Sequence, residues 1–394
     1  MSLIVRYHLR QLRVRPWSTL TTLLSVAIVI GIFCYLLALA HGLRRALAVT
    51  ADPHNLIVLA EGATAESNSA LTHADAAGLT AVPGVAPDPS GRPLVSPEVV
   101  VQTNVHRRGA DASAQAGVAV RGVDLEVARG VHPSVQLASG RWFQPGTDEL
   151  VVGRTAARRF TEGAIGSYLD CGDRRFEIVG EFVAGGGAHE SEFWGHVSNV
   201  AAAYRRDMFS CAAIRLASAE ASFGQTAMAR IASATVALRA VPEHAYYAEQ
   251  GRNARIVEGM ALVILLFMGI GAVFAAMNLV HSVLSERLRE IGMLRALGFA
   301  RQTLMVGFVI ESTTVALVGG LLGCAVTAAF LAIDGGTRDL VATTTFTSVA
   351  FTMRLHAAQV AYALIVAAAI GVLGAIGPAY RATCVPVIQA LRAA

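Results

Sequence analysis

The residues best suited to interaction chemistry form a short charged stretch, Ser285–Ala300, with an apolar run on each side. Glu286 and Glu290 are four residues apart, and three apolar residues follow at three-residue steps, which predicts a helix with an apolar stripe beside charged positions. The stripe consists of Ile291, Leu294 and Leu297. Gly298 predicts the C-terminal end of this helix.

Such a helix carries too many charges to lie in lipid, so we expect it at the membrane surface or in the groove of a partner protein. An amphipathic loop that merely joins two membrane helices is the alternative, and the pattern alone does not choose between them.

Catalytic chemistry finds little support in the sequence. All 32 basic residues are Arg, so the Lys that a Walker A phosphate loop needs is missing. We also find no nucleophile-elbow or HExxH pattern, and His189-Glu190 lacks a second His four residues after the first. We therefore expect that the chain is not an enzyme, that it binds no cofactor itself, and that any ATP and Mg²⁺ are bound by another subunit.

The composition indicates membrane helices combined with a water-exposed domain. The 394 residues are 54% hydrophobic and only 15% charged, with a mean hydropathy of +0.52. These values are too apolar for an ordinary soluble protein and too polar for one that lies wholly in the membrane.

Four apolar runs are long enough to span a bilayer. Before the first run, Arg6, Arg10, Arg13 and Arg15 place the N-terminus in the cytoplasm by the positive-inside rule. A signal peptide is the alternative, but its apolar core runs only about 7–15 residues, and this run is longer. Arg counts in the short loops place both termini in the cytoplasm.

The predicted fold class is an α-helical transmembrane domain of four spans with a large α+β extracytoplasmic domain between spans 1 and 2. The predicted segments are 1–16, cytoplasmic N-terminus; 17–42, first span; 43–255, periplasmic domain; 256–280, second span; 281–303, cytoplasmic loop; 304–333, third span; 334–356, short outer loop; 357–380, fourth span; and 381–394, cytoplasmic tail.

Short β-like and helical patterns alternate in the 43–255 block, with Gly and Pro between them, which indicates two small α+β lobes. The predicted strands are Asn55–Leu59, Glu98–Thr103, Gly117–Arg121, Glu149–Val152 and Arg175–Val183. The predicted helices are Ala74–Leu79, Thr155–Phe160 and Ser218–Ser233. Cys171 and Cys211 lie in this block and could form a disulfide if it is outside the cytoplasm. No Cys or His spacing resembles a zinc site.

Polar and small residues inside the spans form two further candidate features. Glu311 lies within the third apolar run, where a carboxylate is either functional or close enough to the interface to reach water. Glycines at 319, 320 and 323 and at 371, 374 and 377 allow close helix packing, within the chain or across a dimer.

Residues 286–298, ERLREIGMLRALG, resemble the cytoplasmic coupling-helix motif of the FtsX-like/MacB-like permease family of ABC transporters. In that family the loop docks on a separate ATPase subunit. The resemblance implies that the ATPase-coupling residues are Glu286, Arg287, Glu290, Ile291, Leu294, Arg295 and Gly298.

The 43–255 block resembles the MacB-like periplasmic domain at several short pieces in the same order. The pieces are Val120–Asp124, Gly140–Phe143, Glu149–Gly153, Ile165–Gly166, Phe176–Gly180 and Ser191–Asn199. The tail from Tyr380 to Arg392 resembles the closing motif of the family, although Val385 stands where an acidic residue is usual, which puts any charge contact there in doubt.

The resemblance implies a four-span permease subunit of the bacterial inner membrane that works by mechanotransmission. It implies a dimer with a second permease copy or a similar chain, a dimer of ATPase subunits, and in some systems a periplasmic adaptor and an outer-membrane channel. The cargo would be an antibiotic, peptide, haem or lipoprotein taken from the outer face of the membrane. The alternative is an FtsX-like mechanotransmitter that transports nothing and regulates a cell-wall hydrolase or a signalling partner. Nucleic acid is not an expected partner.

Overall fold

The described part of the chain contains four long apolar helices and a large mixed sheet. The computed structural model describes residues 16–109, 115–234, 237–250, 252–286, 288–333, 337–341 and 348–386. The helices are α1 (Pro16–Thr50), α2 (His73–Leu79), α3 (Leu125–Val131), α4 (Arg154–Arg159), α5 (Val197–Ala203), α6 (Ala221–Ala234), α7 (Glu243–Gln250), α8 (Arg252–Glu286), α9 (Leu288–Ala296), α10 (Arg301–Ile333) and α11 (Ala357–Cys384).

The strands are mostly short. They are β1 (Asn55–Ala60), β2 (Val95–His106), β3 (Gln115–Val123), β4 (Gln136–Gly140), β5 (Glu149–Gly153), β6 (Tyr168–Cys171), β7 (Arg174–Val183), β8 (Phe193–His196), β9 (Cys211–Arg215), β10 (Leu238–Pro242), β11 (Thr337–Val341) and β12 (Ser348–Thr352).

The chain forms two units, a membrane unit and an α+β unit. The membrane unit comprises Met1–His41, Ala254–Gly336 and Met353–Ala394, and the α+β unit comprises Gly42–Asn253 and Thr337–Thr352. Helices α1, α8, α10 and α11 are long and apolar enough to cross a membrane. With the α+β domain inserted between the first and second of them, the predicted fold class is confirmed.

The long helices extend beyond the apolar runs from which the spans are predicted. Helix α1 continues to Thr50, and α8 runs from Arg252 to Glu286, whereas the apolar runs predict 17–42 and 256–280. A helix satisfies its own backbone hydrogen bonds and can continue into water, so hydropathy marks the bilayer crossing and not the helix end.

Glycines bring the spans of the membrane unit into backbone contact. A Cβ on Gly323 of α10 would lie 2.5 Å from the carbonyl oxygen of Ala27 in α1, and a Cβ on Gly320 would lie 2.8 Å from Cβ of Ala367 in α11. A Cβ on Gly374 of α11 would lie 2.6 Å from Cβ of Ala276 in α8. The predicted helix-packing role of these glycines is therefore confirmed within the chain, in the order α1, α10, α11 and α8.

Ten strands of the α+β unit form one sheet, in the order β10-β1-β9-β2-β3-β8-β5-β7-β4, with β6 also paired to β7. Strand β2 joins two parts of the sheet, because Val95–Glu98 pair with β9 and Val99–His106 pair with β3. Separate hydrophobic clusters form on the two parts, one around Phe160 and Phe176 and one around Leu71 and Ile214. The two predicted lobes therefore share one sheet.

All five predicted strands and all three predicted helices of this unit are present, within three residues of the expected bounds. The strands of the ten-stranded sheet that the sequence did not predict are β4, β6, β8, β9 and β10, each of only four or five residues. Runs this short carry too few alternations to separate a strand from a loop.

Part of the region predicted as a short outer loop forms regular structure. Strands β11 and β12 pair antiparallel, with Thr337 opposite Thr352 and Val341 opposite Ser348, and they belong to the α+β unit. Their backbone pairing adds a second, two-stranded sheet to the ten-stranded one.

The disulfide between Cys171 and Cys211 does not form in the structure, where both are buried free thiols. Both cysteines lie beside β2, but at different points along it. Cys211 lies opposite Glu98. Cys171 lies near Thr103, five residues further along, whose hydroxyl donates to the carbonyl oxygen of Asp170. At about 3.3 Å per residue the two cysteines are about 16 Å apart, well beyond the roughly 7 Å between Cα atoms that a disulfide allows.

We predict that Gly323→Ala destabilises the membrane unit by about 1–3 kcal/mol, because its Cβ would press on the backbone of α1. Thermal unfolding of the purified chain in detergent measures this. Gly269→Ala in α8 is the matched control, since a Cβ there meets no atom within 4 Å. Equal unfolding temperatures for the two variants would contradict the close packing.

Candidate functional site

Helix α9 lies between α8 and α10 in the chain and ends in a Schellman motif. Gly298 has a φ of +95°, which glycine adopts at little cost. The N–H of Phe299 donates to the carbonyl of Leu294 at 3.1 Å, and the N–H of Gly298 donates to that of Arg295 at 3.1 Å. The predicted helix stop at Gly298 is confirmed.

One face of α9 packs against the membrane helices. Ile291 is only 2% exposed and belongs to a cluster with Leu284 of α8, Leu304 and Phe308 of α10 and Ala379 of α11. Leu294 is half-buried at the edge of the same cluster. These two predicted coupling residues therefore attach α9 to the rest of its own chain and do not form an exposed surface for a partner.

Arg295 joins α9 to the end of α11. Its Nη1 donates to the carbonyl oxygens of Thr383 at 3.0 Å and Val385 at 2.7 Å. Carbonyls at a helix C-terminus lack helical partners, and a cation is favourable there. Arg295 thus caps the last membrane helix.

The apolar residues that α9 exposes differ from the predicted stripe. Leu297, predicted to share a face with Ile291, is 77% exposed, and Met293 and Phe299 are 49% and 41% exposed. Three-residue steps drift by about 60° each on a helix, so Leu297 is about 120° away from Ile291. The predicted stripe therefore divides into a buried part and an exposed part.

The charged residues of the predicted site are only partly described. Glu286 is the last residue of α8 and its side chain is not described, while Arg287 lies outside the described residues. Glu290 is exposed in the first turn of α9. Glu311 is half-buried in α10.

A second polar centre lies in the α+β unit, where Arg121 of β3 is almost completely buried among three carboxylates. Its Nη1 is 2.6 Å from Glu98 Oε2, its Nη2 is 2.9 Å from Glu66 Oε2, and its Nε is 2.8 Å from Glu192 Oε2. Nη1 also donates to Glu66 and Nη2 to Glu192, so the guanidinium is engaged on every nitrogen. We call these four residues the Arg121 cluster.

The charges of the Arg121 cluster depend on one another. Burial opposes ionisation of Glu98, but Arg121 and His132 outweigh it and lower the pKa of Glu98 to about 2. Burial likewise opposes the charge of Arg121, yet the three carboxylates raise its pKa above the usual range. Arg121 and Glu98 are thus held ionised inside the protein, where removing one partner would leave a buried charge uncompensated.

Two histidines and a further carboxylate border this cluster. His132 and His189 contact Glu98 and Glu192 respectively, and donor atoms of His132, His189 and Glu243 lie within 4.8 Å of one another. The linear spacing of these residues gave no indication of a metal site. The carboxylates of the Arg121 cluster were also missed, because four separate segments supply its residues, although Arg121 and Glu192 fall in stretches that carry the family resemblance.

Two family models match the chain. The MacB-like periplasmic core domain matches residues 19–235, and the FtsX-like permease C-terminal model matches residues 262–386.

Curated relatives match shorter parts. The macrolide export ATP-binding/permease protein MacB of Neisseria gonorrhoeae is 31% identical over 142 residues, which are 36% of this chain and 20% of that protein. The uncharacterised ABC transporter permease YknZ of Bacillus subtilis is 40% identical over 68 residues, 17% of this chain and 16% of that protein. The chain thus aligns with no more than about a fifth of the length of these relatives.

Solved structures with partial similarity include the extracellular domain of YknZ, with a TM-score of 0.35 and 15% identity over 48% of this chain and 99% of that one. The periplasmic region of MacB from Actinobacillus actinomycetemcomitans has a TM-score of 0.36 and 11% identity over 48% of this chain and 89% of that one. Because the MacB-like model alone matches more than half of the sequence and the FtsX-like model matches its last three spans, the chain belongs to the MacB-like and FtsX-like permease family of ABC transporters.

Proposed function

We propose that this chain is the permease subunit of an ABC system in which a separate ATPase drives rearrangement of the α+β domain on the outer face of the inner membrane. The rearrangement exports or extracts a substrate that is already on that face. The observation that carries the proposal is the way α9 is held, by Ile291, Leu294 and Arg295, on the ends of α8, α10 and α11.

These contacts would couple a movement of α9 to movements of the membrane helices. A force on α9 is transmitted to α8 and α10 through the Ile291 cluster and to α11 through the two hydrogen bonds of Arg295. The four spans touch backbone to backbone at their glycines, so they would move together and not deform separately. This arrangement supports mechanotransmission, in which no cargo crosses the membrane core.

The exposed apolar residues of α9 and its end fit a docking role. Met293 and Leu297 are four residues apart, hence on one side, and Phe299 follows. Arg289 and Glu290 are exposed on the same short helix, which supplies the mixture of apolar and charged groups that a helix presents to a partner's groove. Permeases of this family work with an ABC ATPase, and the missing Lys of a Walker A motif supports ATP and Mg²⁺ binding by that partner.

The positive-inside rule supports cytoplasmic termini and a cytoplasmic α9. Four spans are few for a transporter, so the assembly would contain a second permease copy or a similar chain and two ATPase subunits. A periplasmic adaptor and an outer-membrane channel would complete an export route. The name of the Neisseria relative makes macrolides one candidate cargo, beside peptides, haem and lipoproteins.

We predict that Leu297→Glu abolishes co-purification with the cognate ATPase and leaves the thermal unfolding of the permease unchanged, because Leu297 is 77% exposed. Pull-down in detergent and ATP hydrolysis in lipid measure the two effects. The control is Ile165→Glu, the same kind of apolar-to-acidic change at an exposed residue of the α+β unit. If Leu297→Glu binds as well as the control, α9 is a surface helix and the docking proposal fails.

We predict that Arg295→Gln keeps ATPase binding but weakens the ATP-driven movement of the α+β domain, because both hydrogen bonds to the end of α11 are lost. The distance between spin labels on the α+β units of two copies, with and without ATP, measures the movement. Arg295→Lys is the matched variant that keeps the charge without the guanidinium geometry, and we expect an intermediate result. A full ATP-driven movement in Arg295→Gln would show that α11 receives the force by another route.

A further inference from the structure

The buried group formed by His132, His189 and Glu243 has the composition of a transition-metal site. His132 follows α3, His189 lies in the short 3-10 turn Ala188–Ser191, and Glu243 is the first residue of α7. Each is at most 5% exposed, and one donor atom from each lies within 4.8 Å of the others. Metal–ligand distances of about 2.1 Å put the donors of a tetrahedral ion roughly 3.4 Å apart, so small side-chain rotations would close the site.

Each of the two histidines has one ring nitrogen against a carboxylate. His132 Nε2 is 3.0 Å from Glu98 Oε1, and His189 Nδ1 is 3.4 Å from Glu192 Oε2. A metal-binding His usually donates its other ring N–H to a carboxylate, and both histidines have that carboxylate in place.

The nitrogen of His189 that Glu192 does not engage is without a partner. His189 Nε2 is buried and makes no hydrogen bond within the described part of the chain, although His189 is only 1% exposed. Leaving a buried polar atom unsatisfied is costly, so such atoms are rare. A bound cation would satisfy this one directly.

The charge around the site also favours a cation. Glu66, Glu98, Glu192 and Glu243 supply four carboxylates, and the nearby guanidinium groups are those of Arg121 and, through Asn55, Arg215. Glu243 is already oriented, since its Oε2 accepts from the backbone N–H of Asp52 at 2.8 Å and from Asn55 Nδ2 at 3.0 Å. A divalent ion would offset part of the negative charge of these carboxylates.

We propose that His132, His189 and Glu243 bind one divalent transition-metal ion, Zn²⁺ or an ion of similar ligand preference, in the α+β unit. Two imidazoles and a carboxylate suit Zn²⁺ and its neighbours and disfavour Mg²⁺ and Ca²⁺, which take oxygen ligands. The ion would tie the end of α3 and the 188–191 turn to the start of α7. Since α7 ends at Gln250 and α8 begins at Arg252, it would hold the segment that leads into the second membrane helix.

The test uses the full chain, purified without a polyhistidine tag, stripped with a chelator and titrated with ZnCl₂ against a chromophoric competitor. We expect about one Zn²⁺ per chain, and a higher unfolding temperature when it is bound. We expect His132→Gln and His189→Gln to weaken binding by more than the roughly 10–100-fold that loss of a supporting carboxylate costs. The control is His106→Gln, which removes a half-exposed histidine whose Nδ1 is 2.6 Å from Glu162 Oε1, and it should bind Zn²⁺ like the wild type.

Two results would overturn the proposal: wild-type protein that takes up no Zn²⁺, or His132→Gln and His189→Gln variants that bind it as tightly as His106→Gln. If the cluster variants do not fold, Co²⁺ bound to the wild type decides the matter. Intense four-coordinate ligand-field bands and imidazole scattering in X-ray absorption are the expected result, and bound Co²⁺ with oxygen ligands alone would refute the site.

Discussion

Close contact between the backbones of the membrane helices is the constraint on which the proposed mechanism depends. Gly323 has room for no Cβ against α1, and Gly374 has none against α8. Helices that approach this closely gain dense van der Waals contact in lipid, where the hydrophobic effect does not drive their association. We therefore expect a bundle packed in this way to move as a body, which is what the proposed mechanism requires.

In the α+β unit the corresponding constraint is electrostatic. Arg121 joins a short turn at Glu66, the start of β2 at Glu98 and the segment before β8 at Glu192. A buried ion pair adds little stability compared with apolar packing, but it admits very few alternative arrangements because each charge needs its partners. We therefore expect the cluster to fix how the two parts of the sheet meet around β2, and two of its carboxylates contact the histidines beside it.

Much of this architecture follows from sequence patterns that act locally. The four apolar runs, the five predicted strands and the helix stop at Gly298 depend on hydropathy, alternation and backbone preference, and the structure contains all of them. The short strands β4, β8, β9 and β10 were missed because they pair with strands that are distant in the sequence, and β6 because its four residues show too little alternation. The disulfide between Cys171 and Cys211 was predicted only because both lie in the same domain. In the structure they lie beside different parts of β2.

The sequence by itself determined that the chain has four apolar runs long enough to span a membrane, a large α+β insertion and a short amphipathic helix after the second run. Only the tertiary structure decided that Ile291, Leu294 and Arg295 face their own bundle while Met293 and Leu297 face away. It also decided that His132, His189 and Glu243 converge. The reason is that hydropathy and periodicity are properties of neighbouring residues, whereas the direction of a helix face and the meeting of distant side chains depend on which other elements pack there.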